Sequence, residues 1–183
     1  MVYYYARMQE VWEEIGSDSE RGARRLVAEY GNRRFAAALL LCRNETDAED
    51  LVFRTFERAV ERIGQYKPTG EFYGWLYIIM LNFWRMDVRR MQPDVVCAGS
   101  TVDLPEVPDP SLSDSLAGVD AEAIRAAVRR LSPMLAEVVV LRFFEGRSME
   151  EMAEMLDVPE GTVKSRLYNA KAALGKLLKE MGL

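Results

Sequence analysis

Six side chains between residues 162 and 169 carry the chemistry most worth following: Thr162, Lys164, Ser165, Arg166, Tyr168 and Asn169. None pairs a nucleophile with a base. Lys and Arg suit phosphate oxygens, and Ser, Asn and Arg have the donors and acceptors that read base edges. Between them Val163, Leu167, Ala170 and Leu174 step by four, three and four, which marks the buried stripe of one helix. Just upstream, Ser148 with Glu151 makes a capping box, and Met149, Met152, Ala153 and Leu156 give a short helix its apolar face. Leu156-Asp157-Val158 breaks that pattern, and Pro159 suits the first turn of a new helix, where its missing amide proton costs nothing. Residues 148–174 therefore read as a helix-turn-helix whose second helix enters a DNA major groove. Taken alone the pattern also fits an ordinary amphipathic surface helix, so its neighbours decide.

Composition narrows the choice. Of 183 residues, 49% are hydrophobic and 29% charged, the profile of a soluble globular protein. The most apolar run, AAALLLC at 36–42, falls far short of the roughly 20 residues that span a bilayer. The first residues lack a cationic segment followed by an apolar core, so no secretory signal is expected and the protein is expected in the cytoplasm. The chain has no His and two cysteines, Cys42 and Cys97, without metal or redox spacing, so no metal and no cofactor are expected. With no phosphate-cradling glycine loop and no paired nucleophile and base, an enzyme is not expected either.

The net charge of −5 is unevenly spread. Residues 21–93 carry thirteen cations and nine acids, and residues 159–183 five and two, so both are locally positive. Residues 94–122 hold seven acids and no cation. Local sign governs phosphate binding, because salt screens fields beyond about 10 Å.

The elements that must position these groups read as all-α. Pro93 to Gly118 holds four of the seven prolines and no helical periodicity, so it is expected to link a domain at 1–92 to a second at 119–183. In the first, Ser17 with Glu20 predicts one helix start. Thr46 with Glu49 predicts another, opening 47–63, with Leu51, Val52, Thr55, Phe56, Ala59 and Ile63 inward. A third helix is expected over about 71–91, with Phe72, Trp75, Leu76, Ile79, Phe83 and Met86 on or near its apolar side. In the second, Ala123 to Leu131 is one helix, and Ser132-Pro133 starts another that carries VVVLRFF. That run is β-prone by composition, yet it follows a helix start and has no strand partner.

DAEDLVFRTFERA (47–59), FYGWLYIIMLN (72–82) and PEGTVKSRL (159–167) occur in that order and spacing. In these motifs the sequence resembles an extracytoplasmic-function sigma factor, the minimal two-domain class of the sigma-70 family. The resemblance implies a region 2-like bundle and a region 4-like helix-turn-helix domain joined by a flexible linker. It further implies core RNA polymerase and promoter DNA as partners, and an anti-sigma factor as regulator. Asp47, Glu49, Asp50, Leu51 and Arg54 would face the polymerase β′ clamp helices. Lys67, Thr69, Phe72, Asn82, Arg85, Arg89 and Arg90 would meet the melted −10 element. Thr162, Lys164, Ser165, Arg166, Tyr168 and Asn169 would meet the −35 element beside the β flap, and the acidic linker would thread toward the active-site cleft. Trp75 is expected in the core rather than as a DNA wedge. The sequence departs from the family's pattern where Met86 replaces a usual Asp, which falls one later at Asp87, where Phe53 replaces a common Gln, and where Asn169 replaces a frequent cation. The competing reading is a stand-alone helix-turn-helix regulator with a helical sensor domain, which does not need the aromatic and cationic stretch from Tyr66 to Arg90.

Overall fold

Side-chain caps decide where the helices begin, and two of them differ from expectation. In the computed structural model, which describes residues 14–42, 44–66, 72–91 and 121–182, the Ser17 hydroxyl donates to the Glu14 carbonyl and closes the preceding helical turn. Asp18 is left to cap helix α1 (Ser19–Leu41), its carboxylate accepting from the Arg21 amide at 3.1 Å. Likewise Asn44, not Thr46, caps α2 (Glu45–Glu61), accepting from the Asp47 amide at 2.8 Å. In both places a residue with a carbonyl oxygen on its side chain captures the cap ahead of the neighbouring hydroxyl.

The chain divides into two compact units at Asp87/Val88. The first packs α1 against α2, followed by a 3₁₀ turn (Ile63–Gln65) and α3 (Phe72–Met91), whose last turn runs past the division. Its apolar centre joins Ile15, Leu26, Tyr30, Phe56, Ala59, Phe72, Tyr73 and Leu76. Phe72 sits edge-on to Tyr30 (5.6 Å) and Tyr66 (5.2 Å). Gly22 is required where it stands, because a Cβ there would meet Ile15 at 2.5 Å. The end of α1 is finished by the Trp84 indole, which donates to the Leu41 carbonyl at 3.0 Å. Beside it, burial and then Asp47 and Asp87 push the Cys42 thiol up to about 12.

The buried side of α3 differs from the one periodicity suggests. Phe72, Tyr73, Leu76, Tyr77, Met80, Leu81 and Trp84 face inward. Trp75 and Ile79 are half-buried at the edge of the apolar cluster, and Met86 is 48% exposed. Trp75 thus packs on Tyr66 and Phe72 (5.3 and 5.5 Å) without being enclosed.

The second unit holds α4 (Ala121–Arg129), α5 (Pro133–Val139), a π turn (Val140–Phe144), α6 (Met149–Leu156) and α7 (Glu160–Glu180). Ser132 and Pro133 open α5 as expected. VVVLRFF is helical: every residue from Ala136 to Leu141 is buried, so β-branched side chains are spent on an element covered all round. The Glu145 amide reaches the Val140 carbonyl at 2.9 Å, five residues back, and so makes the π turn. Ser148 and Glu151 form the expected capping box. Asp157 then takes a left-handed conformation (φ 54°) at the turn, and Pro159 stands one residue earlier than expected, as the cap of α7 rather than in its first turn.

No strand occurs among the described residues, and none of their helices is long and apolar enough to cross a membrane. Residues 93–118, Cys97 and the first thirteen residues lie outside the described residues.

Candidate nucleic-acid interface

Helix α7 is pinned by Val163, Leu167, Ala170, Leu174 and Leu178, all buried. Lys164, Tyr168 and Asn169 are exposed, and Thr162 and Ser165 are half-buried beside them. The Ser165 hydroxyl donates to the Thr162 carbonyl at 3.0 Å within the helix. One outward surface therefore carries an ammonium, a phenol, a primary amide and two hydroxyls. That set can bind phosphates and read base edges in a major groove.

Arg166 does not belong to that surface. Its guanidinium donates to Glu137 at 3.0 Å, with side-chain exposures of only 16% and 3%. Arg166, assigned to DNA from sequence, is placed by the structure against a carboxylate buried on α5, and the pair ties α7 to α5. Glu137 was missed by sequence reasoning. Its signal is a single acid inside the apolar run LAEVVVL, which a folded chain can bury only with a cationic partner.

The N-terminal turn of α6 holds two carboxyls low through its own backbone and cap. Hydrogen bonding to the Ser148 backbone amide (2.7 Å) holds the Glu151 carboxyl below the usual range, with Arg147 contributing. The Glu150 carboxyl is lowered by its own backbone amide and the Ser148 hydroxyl, with a smaller contribution from Lys164.

On α3, Asn82, Arg89 and Arg90 are exposed and Arg85 is half-buried. Asn82, Arg85 and Arg89 follow at three- and four-residue steps on the side opposite the buried face, so they share one stripe. Arg90 lies off that stripe. Phe72, expected to stack on an unpaired base, is 0% exposed and is corrected to a core residue. An aromatic side chain suits either role by type, and its place in the first turn of α3 puts it inward. Lys67 and Thr69 lie outside the described residues.

On α2, Glu49 and Asp50 are exposed and Asp47 is half-buried at the cap. Leu51, assigned to a partner surface from sequence, is 1% exposed and belongs to the core. Arg54 forks onto Asp87 of α3, Nη1 to Oδ1 at 3.2 Å and Nη2 to Oδ2, while its Nε lies 2.8 Å from Asp50. The Asp87 hydrogen bonds raise the Arg54 pKa still further against desolvation. Its guanidinium also sits 5.3 Å from the Phe83 ring. Arg54 therefore ties the acidic helix to the helix that carries Asn82.

No group of His, Cys, Asp and Glu among the described residues is arranged to hold a metal ion.

Comparisons with known proteins fit this geometry. Residues 26–93 match the family model for Sigma-70 region 2, and residues 121–174 match that for Sigma-70, region 4. The chain is 33% identical over 181 residues to the ECF RNA polymerase sigma factor BldN of Streptomyces coelicolor, covering 94% of this chain but 66% of that relative. It is 31% identical over 143 residues to the ECF RNA polymerase sigma factor EcfG of Rhodopseudomonas palustris, covering 78% of this chain and 77% of the relative. Among solved structures it is similar to the sigma factor RpoE of Bartonella quintana in complex with the anti-sigma factor NepR. That match has a TM-score of 0.64 and 25% identity, over 85% of this chain and 95% of the other. With both region models satisfied in order, the chain belongs to the extracytoplasmic-function sigma factors of the sigma-70 family.

Proposed function

We propose that the chain is a promoter-specificity subunit that binds core RNA polymerase in the cytoplasm and directs transcription to start at paired −10 and −35 elements. In this reading it has no catalytic activity of its own; the polymerase supplies the chemistry. Residues 1–92 form the region 2 domain, 93–118 an acidic tether, and 119–183 the region 4 domain. Glu49 and Asp50 on α2 meet the β′ clamp helices. Asn82, Arg85 and Arg89, with Lys67 and Thr69, engage the melted −10 strand, where cations hold the backbone and an amide reads an unstacked base. Thr162, Lys164, Ser165, Tyr168 and Asn169 enter the −35 major groove. The seven acids of residues 94–122, with no cation among them, favour a path along basic channel walls.

The outward surface of α7 carries this reading: Lys164, Tyr168 and Asn169 stand exposed outside a stripe of five buried apolar residues. RpoE of Bartonella quintana was solved with an anti-sigma factor, and an anti-sigma factor is proposed here as the regulator. A mobility-shift assay on promoter fragments tests the proposal. Tight binding is expected only when core polymerase is present, whereas a stand-alone regulator would bind its operator alone.

A further inference from the structure

Phe53 is the most exposed of the large apolar side chains described, at 67%. It stands in the middle of α2, whose opposite side buries Ala48, Leu51, Thr55, Phe56 and Ala59, so the helix has no freedom to turn the ring inward. The neighbours of Phe53 one turn away on the same face are Glu49, Asp50 and Glu57, all exposed. Arg54, the cation nearest in sequence, is half-buried and forked onto Asp87 of α3, touching this face only through Asp50 at its edge. The helix as a whole sets six carboxylates against two arginines. The result is a phenyl ring rimmed by negative charge, the arrangement of a binding hot spot: an aromatic anchor with polar groups around it that exclude water once a partner docks.

We infer that Phe53 is the apolar anchor of this chain's contact with core polymerase, filling a recess in a polymerase surface whose rim is basic. The inference rests on the proposed polymerase-binding role of Glu49 and Asp50, with which Phe53 is continuous. Charge complementarity selects a cationic partner surface and disfavours a second copy of the same acidic face. The ring makes the contact specific. Carboxylates alone accept any basic surface, but an aromatic anchor needs a pocket of matching shape.

The test measures the affinity of labelled full-length chain for core polymerase, with thermal melting and sedimentation of the free chain alongside. Phe53→Ala is expected to weaken binding about tenfold or more, the loss that marks a hot spot. Phe53→Leu should restore most of it, and neither variant should change melting. The double variant Glu49→Lys, Asp50→Lys tests the underlying assignment separately and should also weaken binding. If that double variant loses affinity while Phe53→Ala binds like the parent, the anchor is refuted and the acidic face stands. If neither matters to a chain that still binds core, or if the chain never binds core, the assignment of the face falls with it. If Phe53→Ala instead abolishes self-association and leaves core affinity intact, the ring belongs to a contact between copies and the inference is overturned.

Discussion

Arg166 of α7 and Glu137 of α5 form an ion pair at 3.0 Å that solvent scarcely reaches. The pair links residues 29 apart in sequence, and it sets how α7 sits on its domain. Removing one partner leaves a charge buried without its counter-ion, which typically costs about 3–5 kcal/mol. Glu137→Ala should therefore lower stability by an amount of that order, read by urea unfolding of the full chain. A variant with unchanged stability would show that the pair does not hold α7 on its domain.

The outward residues of α7 should behave in the opposite way. Lys164→Ala should leave melting untouched, weaken promoter binding by the holoenzyme across all sequences, and reduce the slope of log affinity against log salt by about 1. Asn169→Ala should cost about 1–3 kcal/mol on the preferred −35 sequence and less on its variants. Equal losses on every sequence would move Asn169 from base reading to backbone contact. Arg166→Glu is unsuited to this test, because it sets two carboxylates against each other in the interior.

Arg54 and Asp87 make a second brace, between α2 and α3. The forked guanidinium matters here, so Arg54→Lys should not substitute for it. Asp87→Asn should cost about 1.5–3 kcal/mol, the usual worth of hydrogen bonds to charged groups. A double-mutant cycle of Arg54→Gln with Asp87→Asn should give a coupling above about 0.5 kcal/mol. Additive effects would mean the two residues act separately.

Acid should unpick the start of α6. The Glu151 carboxyl is held low in the folded chain, chiefly by the Ser148 amide, so its stabilisation is present above the unfolded value of about 4.3. It drains away as pH falls through the lower folded value. Melting temperatures of the parent and of Glu151→Ala, compared from pH 7 down to pH 3, should converge at the acid end. A constant gap across that range would assign the effect of the variant to packing instead.

Local chemistry was the part most legible in the sequence. The Ser148–Glu151 box, the Ser132-Pro133 start and the α7 stripe all depend on residues within two turns of each other, and each stands as read. The caps at Asp18 and Asn44 were missed because adjacent polar residues competed for the same role. The buried face of α3 was misread because that helix is apolar on nearly every side from Phe72 to Trp84, which blurs its period. Phe72, Leu51 and Arg166 have side chains suited both to a partner and to the interior. Contacts distant in sequence placed two of them: Tyr30 for Phe72, and Glu137 for Arg166.

Run-off transcription with purified bacterial core polymerase on a promoter library tests the central claim most directly. Transcripts should start at a defined set of promoters only when the chain and core are both present, and should be lost when Lys164 and Asn169 are replaced together. Specific promoter binding by the chain alone, or no transcript from any promoter although the chain is bound to core, would contradict the account.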